Sequence, residues 1–153
     1  MSNSNVMKPV EILLIEDNPG DVRLTKEALK KSIIKNNLNV VRDGVKAMDY
    51  LCKHGKYKSK PKPNLILLDL NLPKKDGREV LAEIKHIDSL KMIPIVILTT
   101  SLAENDILWS YNQHANCYIN KPVELNKFLK VIRSIELFWF GIVKLPPNRP
   151  ISK

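Results

Sequence analysis

Five residues that could do chemistry together each follow a short apolar run of the chain. They are Glu16 and Asp17 after VEILLI, Asp69 after NLILL, Thr99 after PIVIL, and Lys121 after CYIN. Mg²⁺ prefers oxygen ligands such as carboxylates, and a carboxylate that attacks phosphorus forms an acyl phosphate. Mg²⁺, an ammonium group and a hydroxyl stabilise the negative charge of a phosphoryl group in transfer. The set therefore predicts a site for Mg²⁺ and a phosphoryl group, with Lys121 and Thr99 as charge-stabilising groups.

The apolar runs are the predicted strands that must position these residues. There are five of them, at Val10–Ile15, Leu38–Val41, Asn64–Leu68, Pro94–Leu98 and Cys117–Ile119. Several are unbroken runs of Ile, Leu and Val, as in strands covered on both faces. Their alternation with amphipathic stretches predicts an α/β fold, a doubly wound five-stranded parallel sheet with helices on both faces. Because ligands bind at the carboxyl ends of parallel strands, we expect the reactive residues to meet at one edge.

The stretches between the strands carry helical periodicity. Two apolar stripes mark the first two helices: Val22, Leu29 and Ile33, then Val45, Met48 and Cys52. Asp21 is expected to cap the first helix. Further helices are predicted over 78–87, 104–114 and 124–140. The two cysteines, Cys52 and Cys117, stand in no C-x-x-C pair, and both are expected to be small core residues.

The length of 153 residues is that of one domain. We divide the chain into an N-terminal tail over 1–8, a single domain over 9–140 and a C-terminal extension over 141–153, and we expect no second domain. The N-terminus lacks the apolar core of a signal peptide. The longest uncharged apolar run, 137–143, is far shorter than the roughly 20 residues that span a bilayer. These observations predict a cytoplasmic protein with no membrane partner.

The formal net charge is +9, and much of it lies in one lysine-rich loop over 53–62. No acid stands between Asp49 and Asp69. One interpretation is binding to nucleic acid or to an anionic surface. The favoured interpretation is a solvated, flexible loop, because Pro61 and Pro63 interrupt regular structure. No helix-turn-helix, zinc or aromatic stacking motif supports nucleic-acid binding, so no nucleic-acid partner is expected.

Four local motifs occur in order along the chain: EDNPGD at 16–21, DLNLPKKDG at 69–77, TTS at 99–101 and CYINKP at 117–122. Together they resemble the receiver domain of two-component response regulators. The resemblance covers about residues 8–140 and implies the flavodoxin-like strand order 2-1-3-4-5. Among receivers, the chain looks most like small single-domain regulators that partner cyanobacterial phytochrome histidine kinases.

The resemblance also assigns a role to each of the three acidic residues named above and to Asn71. Asp69 matches the phosphoacceptor, which takes a phosphoryl group from the histidine kinase. Asp17 and Asp69 match direct Mg²⁺ ligands, together with the backbone carbonyl of Asn71. Glu16 matches the second acid, which often acts through water. The implied protein is a stand-alone response regulator that switches its protein contacts when it is phosphorylated, with a downstream target that the sequence does not name.

Three further residues acquire roles in the same way. Thr99 and Lys121 match the hydroxyl and the lysine that contact the phosphoryl group. Tyr118 matches the switch aromatic, which turns inward when the threonine moves toward the phosphoryl group. Thr99 and Tyr118 are therefore the predicted switch pair.

Apolar residues crowd the C-terminal end of the last helix: Leu137, Phe138, Trp139, Phe140, Ile142 and Val143. A helix of period 3.6 cannot turn them all inward. The end of the chain therefore either folds back on its own domain or exposes an apolar interface, and we favour the interface. Receivers often pair through helix four, strand five and helix five, which correspond here to the predicted elements over 104–114, 117–119 and 124–140. We therefore predict a homodimer through these elements and the tail residues Leu137, Phe138, Trp139 and Phe140.

The enzyme alternative is an aspartate-nucleophile phosphohydrolase, which also uses carboxylates at strand ends and a lysine. Such an enzyme needs a second acid two residues after its nucleophile, where this chain has Asn71. A cap domain is also lacking. We therefore expect a signalling protein that catalyses only its own phosphotransfer and a slow autodephosphorylation.

Overall fold

The computed structural model describes residues 9–32, 35–100, 117–121 and 125–136. Within them lies one parallel sheet of order β2-β1-β3-β4-β5. Its strands are β1 (Val10–Ile15), β2 (Asn36–Val41), β3 (Leu65–Leu68), β4 (Ile95–Thr99) and β5 (Cys117–Asn120). Both the strand order and the parallel pairing of all five strands are confirmed.

Helices cover both faces of this sheet. They are α1 (Pro19–Lys30), α2 (Gly44–Leu51), α3 (Gly77–Lys85) and the C-terminal helix (Leu125–Glu136), with a 3₁₀ turn at Gly55–Tyr57. The predicted helix over 104–114 lies outside the described residues, as do the terminal segments 1–8 and 137–153. The predicted doubly wound α/β fold is therefore confirmed.

The core has two layers, one on each face of the sheet. On one face, Leu13, Ile66 and Ile97 pack with side chains of α2 and α3. On the other, Leu14 and Leu67 pack with side chains of α1, and the C-terminal helix lies beside α1. Strands β1 and β3 are almost wholly buried because they lie inside the sheet between two layers of helices.

The cap of α1 differs from the prediction. Asn18, not Asp21, is the N-cap, and its side-chain oxygen accepts a hydrogen bond of 3.0 Å from the Asp21 backbone N–H. Pro19 occupies the first helical position, where its fixed φ favours the helix and its missing N–H costs nothing. The Asp21 side chain is therefore available for another contact.

The apolar stripe of α2 also differs from the prediction. Ala47, Met48 and Leu51 face the core, whereas Val45 is 44% exposed. Cys52 is an exposed free cysteine, because the helix ends at Leu51 and the next residue is only its C-cap. The expectation of a buried Cys52 is wrong, and the side chain of Cys117 lies outside the description. Among the described helices, none is long and apolar enough to cross a membrane.

Candidate functional site

The end of β1 supplies the first two predicted acids, in different environments. The strand delivers Glu16 into the interior, where it is only 1% exposed. Its Oε2 accepts a hydrogen bond of 3.1 Å from the backbone N–H of Asn18, which orients the carboxyl group. Asp17 is exposed at the turn into α1, and its carboxylate has no hydrogen-bond or ion-pair partner among the described residues.

The end of β3 supplies Asp69, whose side chain is buried. Its Oδ1 accepts a hydrogen bond of 2.9 Å from the backbone N–H of Asn71. The loop then turns back on itself, and the Gly77 N–H donates to the Leu70 carbonyl at 2.9 Å. A Cβ atom on Gly77 would overlap the backbone of Asp69 and Leu70, so this close approach requires glycine. Backbone contacts of the loop therefore fix the position of Asp69.

Lys121, just after β5, connects these acids. Its Nζ lies 2.5 Å from Glu16 Oε1, 2.8 Å from Asp21 Oδ2 and 3.0 Å from Asp69 Oδ2. An ammonium group has three N–H donors, and each of the three has a carboxylate acceptor here. The predicted convergence of Glu16, Asp69 and Lys121 at one edge of the sheet is thus present in the structure.

Burial and mutual contact change the protonation of the site. Burial raises the pKa of Glu16 to about 7, and the hydrogen bond with Asp69 adds to this, while Lys121 opposes it. Burial by itself would lower the pKa of Lys121, but its hydrogen bonds to Asp21, Glu16 and Asp69 hold that pKa above the usual range. Lys121 is therefore a permanent cation in this site.

The ends of β4 and β5 bring the remaining predicted residues to the same edge. Thr99 ends β4, and its backbone pairs with Asn120 of β5, but its side chain lies outside the description. The next residue, Thr100, has its Oγ1 3.5 Å from Asn71 Nδ2, so the end of β4 adjoins the loop of Asp69. Tyr118 is half-buried and packs against the core on the face of α2 and α3.

The donor atoms at this edge fit a divalent cation in type. Asp17 offers an exposed carboxylate with no partner among the described residues. Asp69 offers a carboxylate with one backbone donor, and Asn71 offers a backbone carbonyl. Within the part of the chain that is described, no three acidic, cysteine or histidine side chains form a ready-made metal cluster. Lys121 lies among the carboxylates and already neutralises part of their charge. A metal would add to this charge compensation rather than provide it alone.

The comparison with family models decides how this site is to be interpreted. Residues 12–133 match the response regulator receiver domain. The chain belongs to this family. The expected family is thereby confirmed, and the protein is a response regulator of two-component signalling.

Two curated relatives extend over most of this receiver. Response regulator Rcp1 of Synechocystis sp. is 54% identical over 138 residues, which cover 90% of this chain and 94% of Rcp1. The probable methanogenesis regulatory protein FilR2 of Methanothrix harundinacea is 37% identical over 138 residues, which cover 90% of this chain and 88% of FilR2.

Two solved receivers are similar in structure as well as sequence. The phosphorylated cyanobacterial phytochrome response regulator RcpA has a TM-score of 0.80 and 50% identity, covering 91% of this chain and 99% of RcpA. The Mn²⁺-bound form of Rcp1 has a TM-score of 0.79 and 54% identity, covering 90% of this chain and 99% of Rcp1.

Asp21 is the residue of this receiver site that sequence reasoning assigned to the wrong role. It was expected to be a helix cap, yet its side chain contacts Lys121, which lies 100 positions further along the chain. The signal in the sequence is its place in the motif EDNPGD, four residues after Asp17. Asp21 lies in the first turn of α1, close to the carboxyl end of β1, and its side chain reaches Lys121 from there.

Proposed function

We propose that this receiver accepts a phosphoryl group from a histidine kinase on Asp69 and thereby switches its protein contacts. The observation that carries the proposal is the placement of Asp69. Its carboxylate is buried at the edge of the sheet formed by the carboxyl ends of the strands. One oxygen accepts a hydrogen bond from the Asn71 N–H, and the other accepts one from the Lys121 ammonium group. Such a carboxylate is oriented for attack and has a fixed cation beside it.

The transfer itself would form one bond and break another. An oxygen of Asp69 attacks the phosphorus of the kinase phosphohistidine, and an acyl phosphate forms. The P–N bond breaks, and its electron pair remains on the histidine nitrogen. Lys121 faces the negative charge of the phosphoryl oxygens, with the hydroxyl of Thr99 as a second donor. These two residues are the charge-stabilising groups of the proposal.

Mg²⁺ is the proposed cofactor of this step. Asp17, Asp69 and the backbone carbonyl of Asn71 would hold it directly, and Glu16 would hold it through water. When bound, it would neutralise charge on the phosphoryl oxygens. The exposed carboxylate of Asp17, which has no partner in the described part of the chain, supports this assignment, and so does the Mn²⁺-bound form of the similar regulator Rcp1.

We propose that Thr99 and Tyr118 change position on phosphorylation and so transmit it to a partner protein. Tyr118 is half-buried on β5, next to the strand that Thr99 ends. A threonine that moves toward a new phosphoryl group would leave room for the aromatic side chain to turn inward. This is a local change of charge and packing that a partner protein can detect.

The proposed kinase is of phytochrome type. The similarity to RcpA, which is a cyanobacterial phytochrome response regulator, supports this partner. A slow autodephosphorylation is part of the same proposal, because Asn71 is not a general acid. The cytoplasmic location stays a prediction.

A homodimer is the proposed assembly, through helix four, strand five, the C-terminal helix and Leu137, Phe138, Trp139 and Phe140. The apolar tail residues lie outside the described part of the chain, so their sequence alone supports this interface. Light scattering should report twice the chain mass for the wild type and a single chain mass for the Phe138→Asp/Phe140→Asp variant. A wild type of single-chain mass would contradict the proposed dimer.

Acetyl phosphate with Mg²⁺ tests the phosphoacceptor directly. The wild type should gain the mass of one phosphoryl group, and Asp69→Asn should gain none. Asp88→Asn is the matched control, because Asp88 is an exposed acid whose one ion-pair partner among the described residues is Lys91. Labelling of Asp69→Asn at the wild-type level would overturn the assignment. Steady turnover of a small phosphomonoester would instead favour the phosphohydrolase.

A further inference from the structure

The lysine-rich segment over 53–62 plays no part in the phosphorylation site, yet the structure gives it a defined shape. A 3₁₀ turn forms at Gly55–Tyr57, and backbone hydrogen bonds of 3.0 Å join Tyr57 to His54 and Lys60 to Tyr57. All the lysines of the segment are exposed. The segment therefore presents its exposed lysines around a hydrogen-bonded 3₁₀ turn.

A cavity of about 320 Å³ lies between this segment and β2. Its lining residues are Asn39, Val40, Tyr50, Lys56, Tyr57 and Lys60. Lys60 Nζ lies 3.4 Å from Asn39 Oδ1, and Lys56 Nζ lies 5.3 Å from the centre of the Tyr57 ring. Neither ammonium group has a carboxylate partner among the described residues. Most of their N–H donors are therefore available to a ligand.

Tyr50 adds a second and independent feature to the cavity wall. It is only 4% exposed, and its ring lies 5.4 Å from that of Tyr57. Its hydroxyl has no hydrogen-bond partner among the described residues, although buried hydroxyls in proteins usually have one. Burial and the nearby charge of Glu11 raise the pKa of Tyr50, so the hydroxyl keeps its proton and remains a donor.

We propose that this cavity, which we call the basic cavity, binds carboxylates of an acidic segment of a partner protein. Lys56 and Lys60 would supply the positive charge, and the Tyr50 hydroxyl would supply a directed hydrogen bond. The charge complementarity is clear, because no acid stands between Asp49 and Asp69. Glu11 of β1, whose charge acts on Tyr50, already accepts a hydrogen bond of 2.9 Å from Asn37.

A protein segment fits this surface better than a nucleic acid does. In the described sheet β2 is an outer strand, so its free edge lies beside the basic cavity and offers backbone groups to an extended peptide. Single-stranded nucleic acids need exposed aromatic faces for base stacking. Here Tyr50 is buried and Lys56 lies over the ring of Tyr57.

The basic cavity is also separate from the phosphorylation site. The lysine-rich segment leads into the amino end of β3, whereas Asp69 follows its carboxyl end. The four residues of β3 span roughly 13 Å at about 3.3 Å per residue. Binding of an acidic segment should therefore have the same affinity in the phosphorylated and unphosphorylated protein, which makes this a constitutive docking site.

A hexaglutamate peptide blocked at both ends is the probe. Its addition to the full chain should shift the amide signals of Asn39, Tyr50 and Tyr57. The Lys56→Gln/Lys60→Gln variant should bind at least about fivefold more weakly, because both ammonium groups of the cavity are lost. The Lys58→Gln/Lys62→Gln variant is the matched control, with the same charge removed from the same segment. It should stay within about twofold of the wild type.

Tyr50→Phe tests whether the Tyr50 hydroxyl contributes a hydrogen bond to peptide binding, apart from the attraction between the lysines and the acidic peptide. It should keep or raise the melting temperature, since it removes a buried hydroxyl for which the described residues supply no partner, and it should weaken peptide binding. Equal losses in the two lysine variants would overturn the proposal in favour of diffuse attraction. Tighter binding of a DNA duplex or of phosphatidylserine vesicles at the same residues would also overturn it.

Discussion

Lys121 is the side chain on which the phosphorylation site depends. Its three N–H donors meet Glu16, Asp21 and Asp69, so its position is set from α1, β1 and β3 together. Two of these acceptors, Glu16 and Asp21, are not the group that attacks phosphorus in the proposed transfer. They would keep the ammonium in place while the third, Asp69, becomes phosphorylated. Asp21 is therefore a positioning residue for Lys121 as well as a neighbour of the reaction.

Asp21→Asn tests this role, because it removes the charge and keeps the size of the side chain. We expect phosphorylation by acetyl phosphate to slow by about fivefold, since Lys121 loses one of the groups that orient it. The ammonium protons of Lys121 should also exchange faster with water, as measured by ¹⁵N-lysine NMR. Asp88→Asn is the control. An unchanged Lys121 signal in Asp21→Asn would refute the positioning role.

Glu16 makes the stability of the metal-free protein depend on pH. The folded state raises its pKa from 4.5 to about 7, so the folded protein binds this proton more tightly than the unfolded chain does. The resulting stabilisation is fully present below pH 4.5 and is lost as the pH rises through about 7. Each pKa unit corresponds to about 1.4 kcal/mol.

Urea unfolding in EDTA measures this effect. The unfolding free energy of the wild type should contain a component that falls between pH 5 and pH 7.5, and Glu16→Gln should lack that component because its amide does not titrate. Groups that do not contact Glu16 contribute equally to both proteins, so the difference between the two curves reports Glu16 together with its contacts to Asp69 and Lys121. Parallel curves would show that the proton on Glu16 does not stabilise the fold.

At the scale of elements, the loop from β3 to α3 decides the geometry of Asp69. Asp76 caps α3 in a capping box with Glu79, and Gly77 lies against the backbone of Asp69 and Leu70. The start of α3 is thus fixed directly beneath the proposed phosphoacceptor. Lys74 in the same loop has a φ of 67°, in the left-handed region that non-glycine residues seldom adopt.

Gly77→Ala should destabilise the protein by about 1–3 kcal/mol, because the new Cβ forces the loop and α3 apart. Denaturant unfolding measures the loss, and phosphorylation of the folded variant should also be slower. Gly20→Ala in α1 is the control, since its Cβ would meet only the Asn18 side chain, at 3.2 Å. An equal effect of the two substitutions would contradict this account of the loop.

The fold as a whole was predictable from the sequence. Its strands are continuous apolar runs, and between them apolar residues recur with the 3.6-residue period of a helix. The bounds of β1 agree with the prediction, since the charged Glu16 directly follows its apolar run. β2 begins two residues earlier than predicted, at Asn36. An outer strand tolerates polar residues that an inner strand would not, so hydrophobicity did not mark this start.

The whole molecule should be stabilised by the metal that its site is proposed to hold. Mg²⁺ at 100 times its dissociation constant adds about 2.7 kcal/mol to the folded state if the unfolded chain does not bind it. The melting temperature should therefore rise with Mg²⁺ and fall on addition of EDTA. Asp17→Asn should lose most of this shift, and Asp88→Asn should keep it. A full shift in Asp17→Asn would exclude Asp17 as a ligand.

The sequence alone determines which residues could react and at which edge of the sheet they meet, because hydrophobic periodicity and position at the end of a strand are local properties. The contacts between residues within the site do not follow from the local sequence. Asp21 finds its partner 100 positions away, and Tyr50 and the lysines form the basic cavity only when the 3₁₀ turn lies against β2. Such contacts depend on how α1 and the 3₁₀ turn pack on the sheet, and packing is set by long-range burial that no short segment encodes.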